Sequence, residues 1–484
     1  MKFSPIEIIK YQLYLLQLEN YNCKRFWHVF SRRGFSIQPM RQPLVWTPKL
    51  KVISVIALLI QLLVLIIIFF LIKEHFSIVI VSVSIIITAY ITSLLFGLWA
   101  IIGVFITSPI DRILKKRIIK RAQIKIKNHK NLKIIGITGS YGKTTLKDFI
   151  SEVLSQKYKV LQTEGNKNTP LGISQLILES LEDDVEIFIV EMGAYKKGDI
   201  KNLCDIARPN ISILTGINES HLERFGSMEN TIATKFEIIK YAEKDAMVVL
   251  NADDDLVLKH HHDYIENKKT FFFSAYNHKS CDYRVIDKQF LTDTLYQKAD
   301  IMHKDDSVGS IKTGFLGEYI FGDIIASIIV ARELNISTEK IRHGIMQLKP
   351  IKHRLEPIKG ENNILVIDDS YNGSVDGVEE AICTLNHFKN RRKIYVTPGL
   401  VETGKEAHGI HYQIGKRLSK VANVVILIKN SVTPYIEKGL IEAGFNKDDI
   451  IFFKNANEAH KKIQEITKSD DVILFQNDWP DNYI

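Results

Sequence analysis

Two long apolar runs without charge constrain this 484-residue chain more than any other feature. Residues 52–72 read VISVIALLIQLLVLIIIFFLI, 21 positions with no charged side chain. As a helix rising about 1.5 Å per residue, such a run crosses a hydrocarbon core of about 30 Å. Lys73, Glu74 and His75 interrupt it, and a second uncharged run of 35 residues extends from Phe76 to Ile110. The expected arrangement is a second spanning helix at 77–98, then a tail near Trp99–Pro109 that lies at the interface or continues the helix. Residues 52–110 are then a transmembrane hairpin. A cleaved signal peptide does not fit, because the apolar stretch starts 51 residues in, is too long and occurs twice. The other reading, a buried soluble helix, needs a protein shell around β-branched residues on every face.

Charge gives the expected orientation. Nine Lys and Arg precede the first run, nine more lie between Arg112 and Lys130, and the connector carries only Lys73. Cations stay on the cytoplasmic side, so both ends of the hairpin are expected there, in a cell-membrane protein with two spans and its folded domains in the cytoplasm. The stretch DRILKKRIIKRAQIKIK is a basic linker over 111–130; it is a stop-transfer flank, a contact for anionic headgroups, or both. Residues 1–130 carry a balance of +15 and residues 131–484 one of −6. A nucleic-acid binder would carry its cations on the folded part, so no nucleic-acid partner is expected. The four cysteines, Cys23, Cys204, Cys281 and Cys383, show no C-x-x-C spacing, which argues against a disulfide framework or structural zinc.

From Asn131 short apolar runs alternate with amphipathic stretches: KIIGIT with TLKDFISEVLSQ, IFIVEM with DIKNLCDIA, ISILTGI with NTIATKFEIIKYA. Strands alternating with helices imply an α/β domain with a parallel sheet covered on both faces. Residues 270–316 read as a small antiparallel extension, and helices follow at about 320–334 and 338–347. Lys349-Pro350 marks a boundary. A second α/β series begins with NILVIDDS and KIYVTPG, so a central domain at 131–349 and a Rossmann-like C-terminal domain at 350–484 follow a 1–51 cytoplasmic segment and the hairpin.

The strongest chemical signal is ITGSYGKTT at 137–145. A buried strand runs into a glycine turn and then a helix. In that context Gly139, Ser140, Tyr141 and Gly142 bring backbone N–H groups onto phosphate oxygens, and the helix start adds its positive end. Lys143 neutralises phosphate charge, the Thr144 hydroxyl ligates Mg²⁺, and Thr145 completes the loop. Ile137 stands where the longer phosphate-binding loop has its first glycine, so this is the shorter T-G-x-x-G-K-T-T form; an ordinary turn is the alternative. Glu191 follows the apolar strand IFIV, at a carboxyl end, where open α/β sheets bind ligands. A carboxylate there is a hard oxygen ligand for Mg²⁺, or else a solvated strand-end acid.

This loop, followed in order by EGNKNTPLG (164–172), IVEMGA (189–194), ARPNISILTGINESHLERFGSMENTIATKFEII (207–239), VVLNADDD (248–255), IDDSYNGS (367–374) and TPGLVETGKEAHGIHYQIG (397–415), resembles the Mur ligase family, ATP-dependent amide ligases of cell-wall precursor synthesis. The resemblance spans about 131–484, and its Asp-Asp-Ser-Tyr-Asn segment is similar to the D-alanyl-D-alanine-adding branch. It implies ATP and Mg²⁺. It also implies His221 on a second metal ion and Lys235 carrying a CO₂ adduct that turns an ammonium into a metal-binding carboxylate. Asn251, at the VVLN strand end, is expected at the nucleotide. Asp369 would hydrogen-bond a ribose hydroxyl, with Tyr371 and Asn372 beside the nucleotide. Arg354 would reach phosphate from the second domain or form a plain salt bridge. Lys143, His221 and Lys235 are the expected catalytic groups.

The sequence departs from the family's pattern in three places. Its His-Asn-x-x-Asn segment, whose Asn contacts adenine, is replaced by GEYIFGD, with Tyr319, Ile320 and Asp323. Its Lys-Gly-Ser-Arg-like strand end, which helps to bind the incoming amine, is replaced by Asn477, Asp478, Trp479 and Pro480. Apolar runs stand where the family carries an N-terminal nucleotide-sugar domain. The expected partners are therefore a cell-wall precursor carboxylate, in nucleotide- or lipid-linked form, and an amino acid or dipeptide, at a membrane. The competing readings are a folylpolyglutamate-synthase-like ligase, a membrane-tethered ATPase, and a non-catalytic scaffold.

Overall fold

The computed structural model describes residues 4–33, 43–165, 167–218, 225–278, 280–371, 373–400, 403 and 406–477. Its contacts divide the chain into two compact units, one ending at Ile118 and one beginning at Ile119.

The first unit is helical. Helix α1 (Pro5–Leu18) starts with Pro5 behind a capping box, in which the Ser4 hydroxyl accepts from Glu7 N–H and the Glu7 carboxylate accepts from Ser4 N–H at 2.9 Å. Helix α2 covers Cys23–Arg33. Helix α3 (Pro48–Ile72) begins with Pro48 behind Thr47, whose hydroxyl accepts from Leu50 N–H. It exposes Leu58, Leu59, Leu62, Leu63 and Phe70 and buries Leu50, Ile53, Ala57 and Gln61. The Gln61 amide donates to Thr92 Oγ1 and Ser93 Oγ, both at 3.0 Å, on the helix Ile78–Leu94, α4.

The second apolar run differs from expectation. It is not one span at 77–98 with a tail. It is α4, only 17 residues long, then a break at Leu95 and a new helix, α5 (Phe96–Asn128). The break has a cause 82 residues upstream. Gln12 of α1, which is buried, donates to the Leu94 carbonyl at 2.6 Å and accepts from Gly97 N–H, so the freed backbone groups are satisfied. Helices α3 and α5 are long and apolar enough to cross a membrane, and α4 is shorter. The stretch expected as a linker, 111–130, is helical through Asn128. Residues 1–51 hold more than a tail, because Tyr11, Leu13, Leu15 and Leu16 of α1 pack with Phe26, Leu50, Ile53, Phe96 and Val104 in one cluster.

The second unit carries two sheets. The larger has the order β2-β3-β1-β4-β5-β6-β7-β8-β9. Its strands are β1 (Lys133–Thr138), β2 (Val160–Gln162), β3 (Ile187–Glu191), β4 (Ile211–Leu214), β5 (Met247–Asn251), β6 (Thr270–Ser274), β7 (Tyr283–Leu291), β8 (Tyr296–His303) and β9 (Asp306–Thr313). Pairing is parallel from β2 through β7 and antiparallel among β7, β8 and β9. Strand β6, expected in the antiparallel extension, still belongs to the parallel part. Successive side chains of β1 point to opposite faces. Ile135 and Ile137 join the core under helix α6 (Lys143–Leu154) and the helices Ile320–Glu333 and Thr338–Gln347. Ile134 joins the core under Pro170–Ser180, Asp199–Cys204 and Met228–Lys240. Both faces are covered, as the runs of β-branched residues require.

The smaller sheet has the order β10-β11-β15-β12-β13-β14. It comprises β10 (Glu356–Lys359), antiparallel to β11 (Leu365–Asp369), and the parallel strands β12 (Lys393–Thr397), β13 (Val424–Ile428), β14 (Ile450–Phe453) and β15 (Val472–Gln476). The last strand inserts between β11 and β12, with Val472 opposite both Leu365 and Lys393.

Candidate nucleotide and ligation site

The site is built around the turn between β1 and α6. Gly142 caps α6 with φ +73°, a left-handed conformation that suits glycine, and no side chain caps the helix start. The first N–H groups of α6 are therefore left to a ligand or solvent, an arrangement made for an anion. The loop is braced from behind. Ser140 N–H donates to the Gly216 carbonyl at 2.8 Å, and the Ser140 hydroxyl accepts from Asn218 N–H at 3.1 Å. Thr215 donates to the Tyr141 carbonyl, and Asn251 Nδ2 donates to the Thr215 carbonyl at 2.9 Å. Tyr141 OH donates to Asp254 at 3.0 Å, and burial foremost raises that phenol's proton affinity. Thr145 is buried against the core.

Two ammonium groups converge on one carbonyl. Lys143 Nζ donates to Gly139 O at 2.7 Å, and Lys235 Nζ, from the helix Met228–Lys240, donates to the same oxygen at 2.9 Å. Burial pushes Lys143 down to about 8. Burial, and then the charge of Lys143, pushes Lys235 well below the usual lysine range. Beside them Thr144 Oγ1 donates to Glu191 Oε2 at 2.9 Å, and Asn168 Nδ2 donates to Glu191 Oε1 at 3.1 Å. Glu191 is buried at the end of β3. A carboxylate and a hydroxyl 2.9 Å apart are the hard oxygen donors that magnesium takes, so these residues fit that ion. His221 lies outside the described residues, as does Asn372.

A second group of side chains comes from the other sheet. The Arg354 guanidinium lies over the Tyr371 ring, 4.8 Å from its centroid, and its charge acts on Lys143, Asp323 and Asp369. Among the described residues Arg354 forms no ion pair within 4 Å. Asp369, at the end of β11, accepts from Leu355 N–H at 3.2 Å, and burial pushes it up to about 7. His353 Nδ1 lies 2.8 Å from Asp368, beside Arg354 and Asp369 in the chain. Contacts tie the segments after β4 and β6 to the helix Val375–Asn386: Asn218 Nδ2 donates to Asp376 at 3.0 Å, and Tyr276 OH donates to Glu380 at 3.1 Å.

The structure thus brings Gly139–Thr145, Glu191, Lys235, Asn251, Arg354, Asp369 and Tyr371 into one region. Sequence reasoning did not single out Asn168, Thr215 or Asp254, whose roles are bonds to residues 23, 74 and 113 positions away. For Asn168 a signal existed, since it lies in the quoted EGNKNTPLG segment.

Comparison with known proteins decides what this geometry belongs to. The Mur ligase middle domain matches residues 137–331, and the Mur ligase, glutamate ligase domain matches residues 353–476. This chain belongs to the Mur ligase family. It is an ATP-dependent amide ligase with the α/β fold of that family. A Bacillus subtilis UDP-N-acetylmuramoyl-tripeptide–D-alanyl-D-alanine ligase is 28% identical over 349 residues, 71% of this chain and 72% of that protein. The Escherichia coli enzyme of the same name is 24% identical over 328 residues, 65% of this chain and 70% of that protein. The crystal structure of the MurF ligase from Thermotoga maritima in complex with ADP superposes with a TM-score of 0.66 at 28% identity, covering 75% of this chain and 80% of that one.

Proposed function

We propose that this Mur ligase joins the amino group of a dipeptide such as D-alanyl-D-alanine to the carboxylate of a peptidoglycan peptide precursor, at the expense of ATP. The observation that carries the reading is the convergence of Lys143 and Lys235 on Gly139 O beside the Glu191–Thr144 pair. The relatives' names supply the substrate class.

A precursor carboxylate oxygen attacks the γ-phosphorus of ATP, the bond to the β-phosphate oxygen breaks, and an acyl phosphate and ADP form. The amine then attacks the acyl carbon, the tetrahedral intermediate collapses, and phosphate leaves as the amine loses a proton. Lys143 and the N–H groups opening α6 hold the transferring phosphoryl charge. Arg354 adds a cation from the second sheet. Asp369 accepts from the ribose hydroxyls, and Tyr371 packs beside the nucleoside. Asn251 keeps the loop in shape through Thr215. Magnesium, held by Thr144 and Glu191, supplies charge neutralisation when bound. Lys235 and His221 would be the residues that hold a second ion; the buried, less basic Lys235 amine, in its neutral form, would add CO₂ and release a proton to give a carbamate that supplies an oxygen donor.

The apolar helices α3 and α5 support a further reading, in which the chain is membrane-bound with its catalytic unit in the cytoplasm and takes a lipid-linked precursor. A lipid-linked precursor in vesicles is compared with its nucleotide-linked counterpart. Preference for the lipid form, lost on deleting residues 1–110, supports a membrane substrate. Equal kcat/KM for both, unchanged by the deletion, leaves the helices as an anchor only. Phosphate release that ignores both acid and amine would replace the ligase reading by a tethered ATPase, and no ATP turnover at all would leave a scaffold.

A further inference from the structure

Lys147 has no role in the reaction derived above, yet its side chain is buried, where lysine is rarely found. It lies on α6 three positions after Thr144, so the two side chains share a face of the helix. Its Nζ donates to the Thr163 carbonyl at 2.7 Å and lies 3.4 Å from Asp148 Oδ1. Taking an ammonium out of water is costly, and an apolar side chain of the same length would fill the space without that penalty.

What the ammonium does there is visible in the strand beside it. Strand β2 pairs in parallel with β3 as far as Gln162 opposite Ile189. One more bond follows, from Thr163 N–H to the Ile189 carbonyl at 3.0 Å. In a regular parallel ladder the Thr163 carbonyl would next accept from Glu191 N–H. Instead the Thr163 hydroxyl accepts from Glu191 N–H at 3.0 Å, and the carbonyl is bound by Lys147. The ladder ends at this residue and the chain leaves the sheet. Five residues on, Asn168 Nδ2 donates to Glu191 Oε1 at 3.1 Å, while Thr144 Oγ1 donates to Oε2 at 2.9 Å. Helix α6 thus reaches Glu191 by two routes. Thr144 meets its carboxylate directly, and Lys147 meets its main chain through the fully buried Thr163.

Building on the reading of Glu191 and Thr144 as magnesium donors, we propose that Lys147 is a positioning residue for that ion. By drawing off the Thr163 carbonyl it leaves Glu191 N–H to the Thr163 hydroxyl, ends the ladder, and fixes the Glu191 carboxylate between Thr144 and Asn168. Removing the groups that orient a metal-binding side chain typically costs about 10–100-fold in metal affinity. Lys147 acts through Thr163 and Glu191, so its loss should be felt by the metal and not by the nucleotide alone.

The test separates the two. ADP binding to the full-length protein is measured by calorimetry in Mg²⁺ and again in EDTA, and the ratio of the two affinities is the gain due to the metal. Wild type should bind ADP more tightly in Mg²⁺, and Glu191→Gln should remove most of that gain. Lys147→Met, which keeps the length of the side chain without its charge, should lower the gain by about tenfold while the affinity in EDTA changes far less. Thr163→Val should act alike, and the double variant should lose no more than the worse single one, because the two residues sit in one chain of bonds. Should Lys147→Met fail to fold, Lys147→Gln, whose shorter amide stays polar but stops short of the Thr163 carbonyl, is read in the same way. A gain equal to wild type in the Lys147 variant, additive losses in the double variant, or equal loss of affinity in Mg²⁺ and in EDTA would overturn the proposal. A wild type without any Mg²⁺ gain, or a gain that survives Glu191→Gln, would overturn the magnesium reading itself and the proposal with it.

Discussion

Lys143 and Lys235 share one carbonyl oxygen; burial lowers the basicity of both, and the charge of Lys143 lowers that of Lys235 further. Replacing Lys143 by Ala is expected to abolish phosphate release while the thermal unfolding temperature stays within a few degrees; undiminished ATPase activity would remove the nucleotide site from this loop. Lys235→Ala should be nearly inactive and partly rescued by a small added carboxylate, because the amine matters as the carrier of an oxygen donor. Wild-type activity in that variant would refute carbamylation, and intact-mass measurement under bicarbonate would look for the adduct directly. Asp369 gives a pH signature. Burial puts its carboxyl at about 7, and its ionised form is the better acceptor for ribose hydroxyls. kcat/KM for ATP, which reports the free enzyme, should therefore rise as pH increases through about 7. Lys143 loses its proton at about 8, so the profile should fall beyond that. Asp369→Asn should lower the plateau and remove the acidic limb alone; an unchanged limb would reassign it.

At the scale of elements, the helices Ala407–Leu418 and Thr433–Glu442 cross where glycine faces backbone. A Cβ on Gly415 would collide with the Ile436 carbonyl oxygen, and one on Gly439 with the Tyr412 carbonyl oxygen. Gly415→Ala should destabilise the protein by about 1–3 kcal/mol, the usual cost of overpacking, measured by urea unfolding. A variant as stable as wild type would mean that the helices separate freely. The same contrast between local and distant contacts explains what could be read from the residues. Strands β1, β3, β4 and β5 were legible because each is a continuous apolar run, and the loop from Gly139 to Thr145, Glu191 and Asn251 were legible because they stand at the ends of β1, β3 and β5. The antiparallel strand β10 and the break at Leu95 were not. The break depends on Gln12 meeting Leu94 and Gly97, and nothing in the second apolar run announces a partner 82 residues earlier. Asn168, Thr215 and Asp254 were missed for the same reason, since each acts by bracing a residue far away in the chain. The polarity of Asp323 was visible in GEYIFGD, but its burial and unpaired oxygen were not.

Taken whole, the molecule joins a catalytic unit of the Mur ligase family to a helical unit rich in exposed apolar side chains. Deleting residues 1–110 should move the protein from the membrane to the soluble fraction on cell fractionation. A deletion variant still sedimenting with membranes would contradict the reading of α3 and α5 as spans. The central claim is chemical: a carboxylate is activated by phosphoryl transfer and then captured by an amine. Its most direct test is isotopic. A peptidoglycan tripeptide precursor labelled with ¹⁸O in its reacting carboxylate is incubated with ATP, Mg²⁺ and D-alanyl-D-alanine, and the products are weighed by mass spectrometry. The account predicts one new amide per ADP formed, with one ¹⁸O transferred from the carboxylate to each phosphate released. Unlabelled phosphate, or ADP formed without amide, would contradict it.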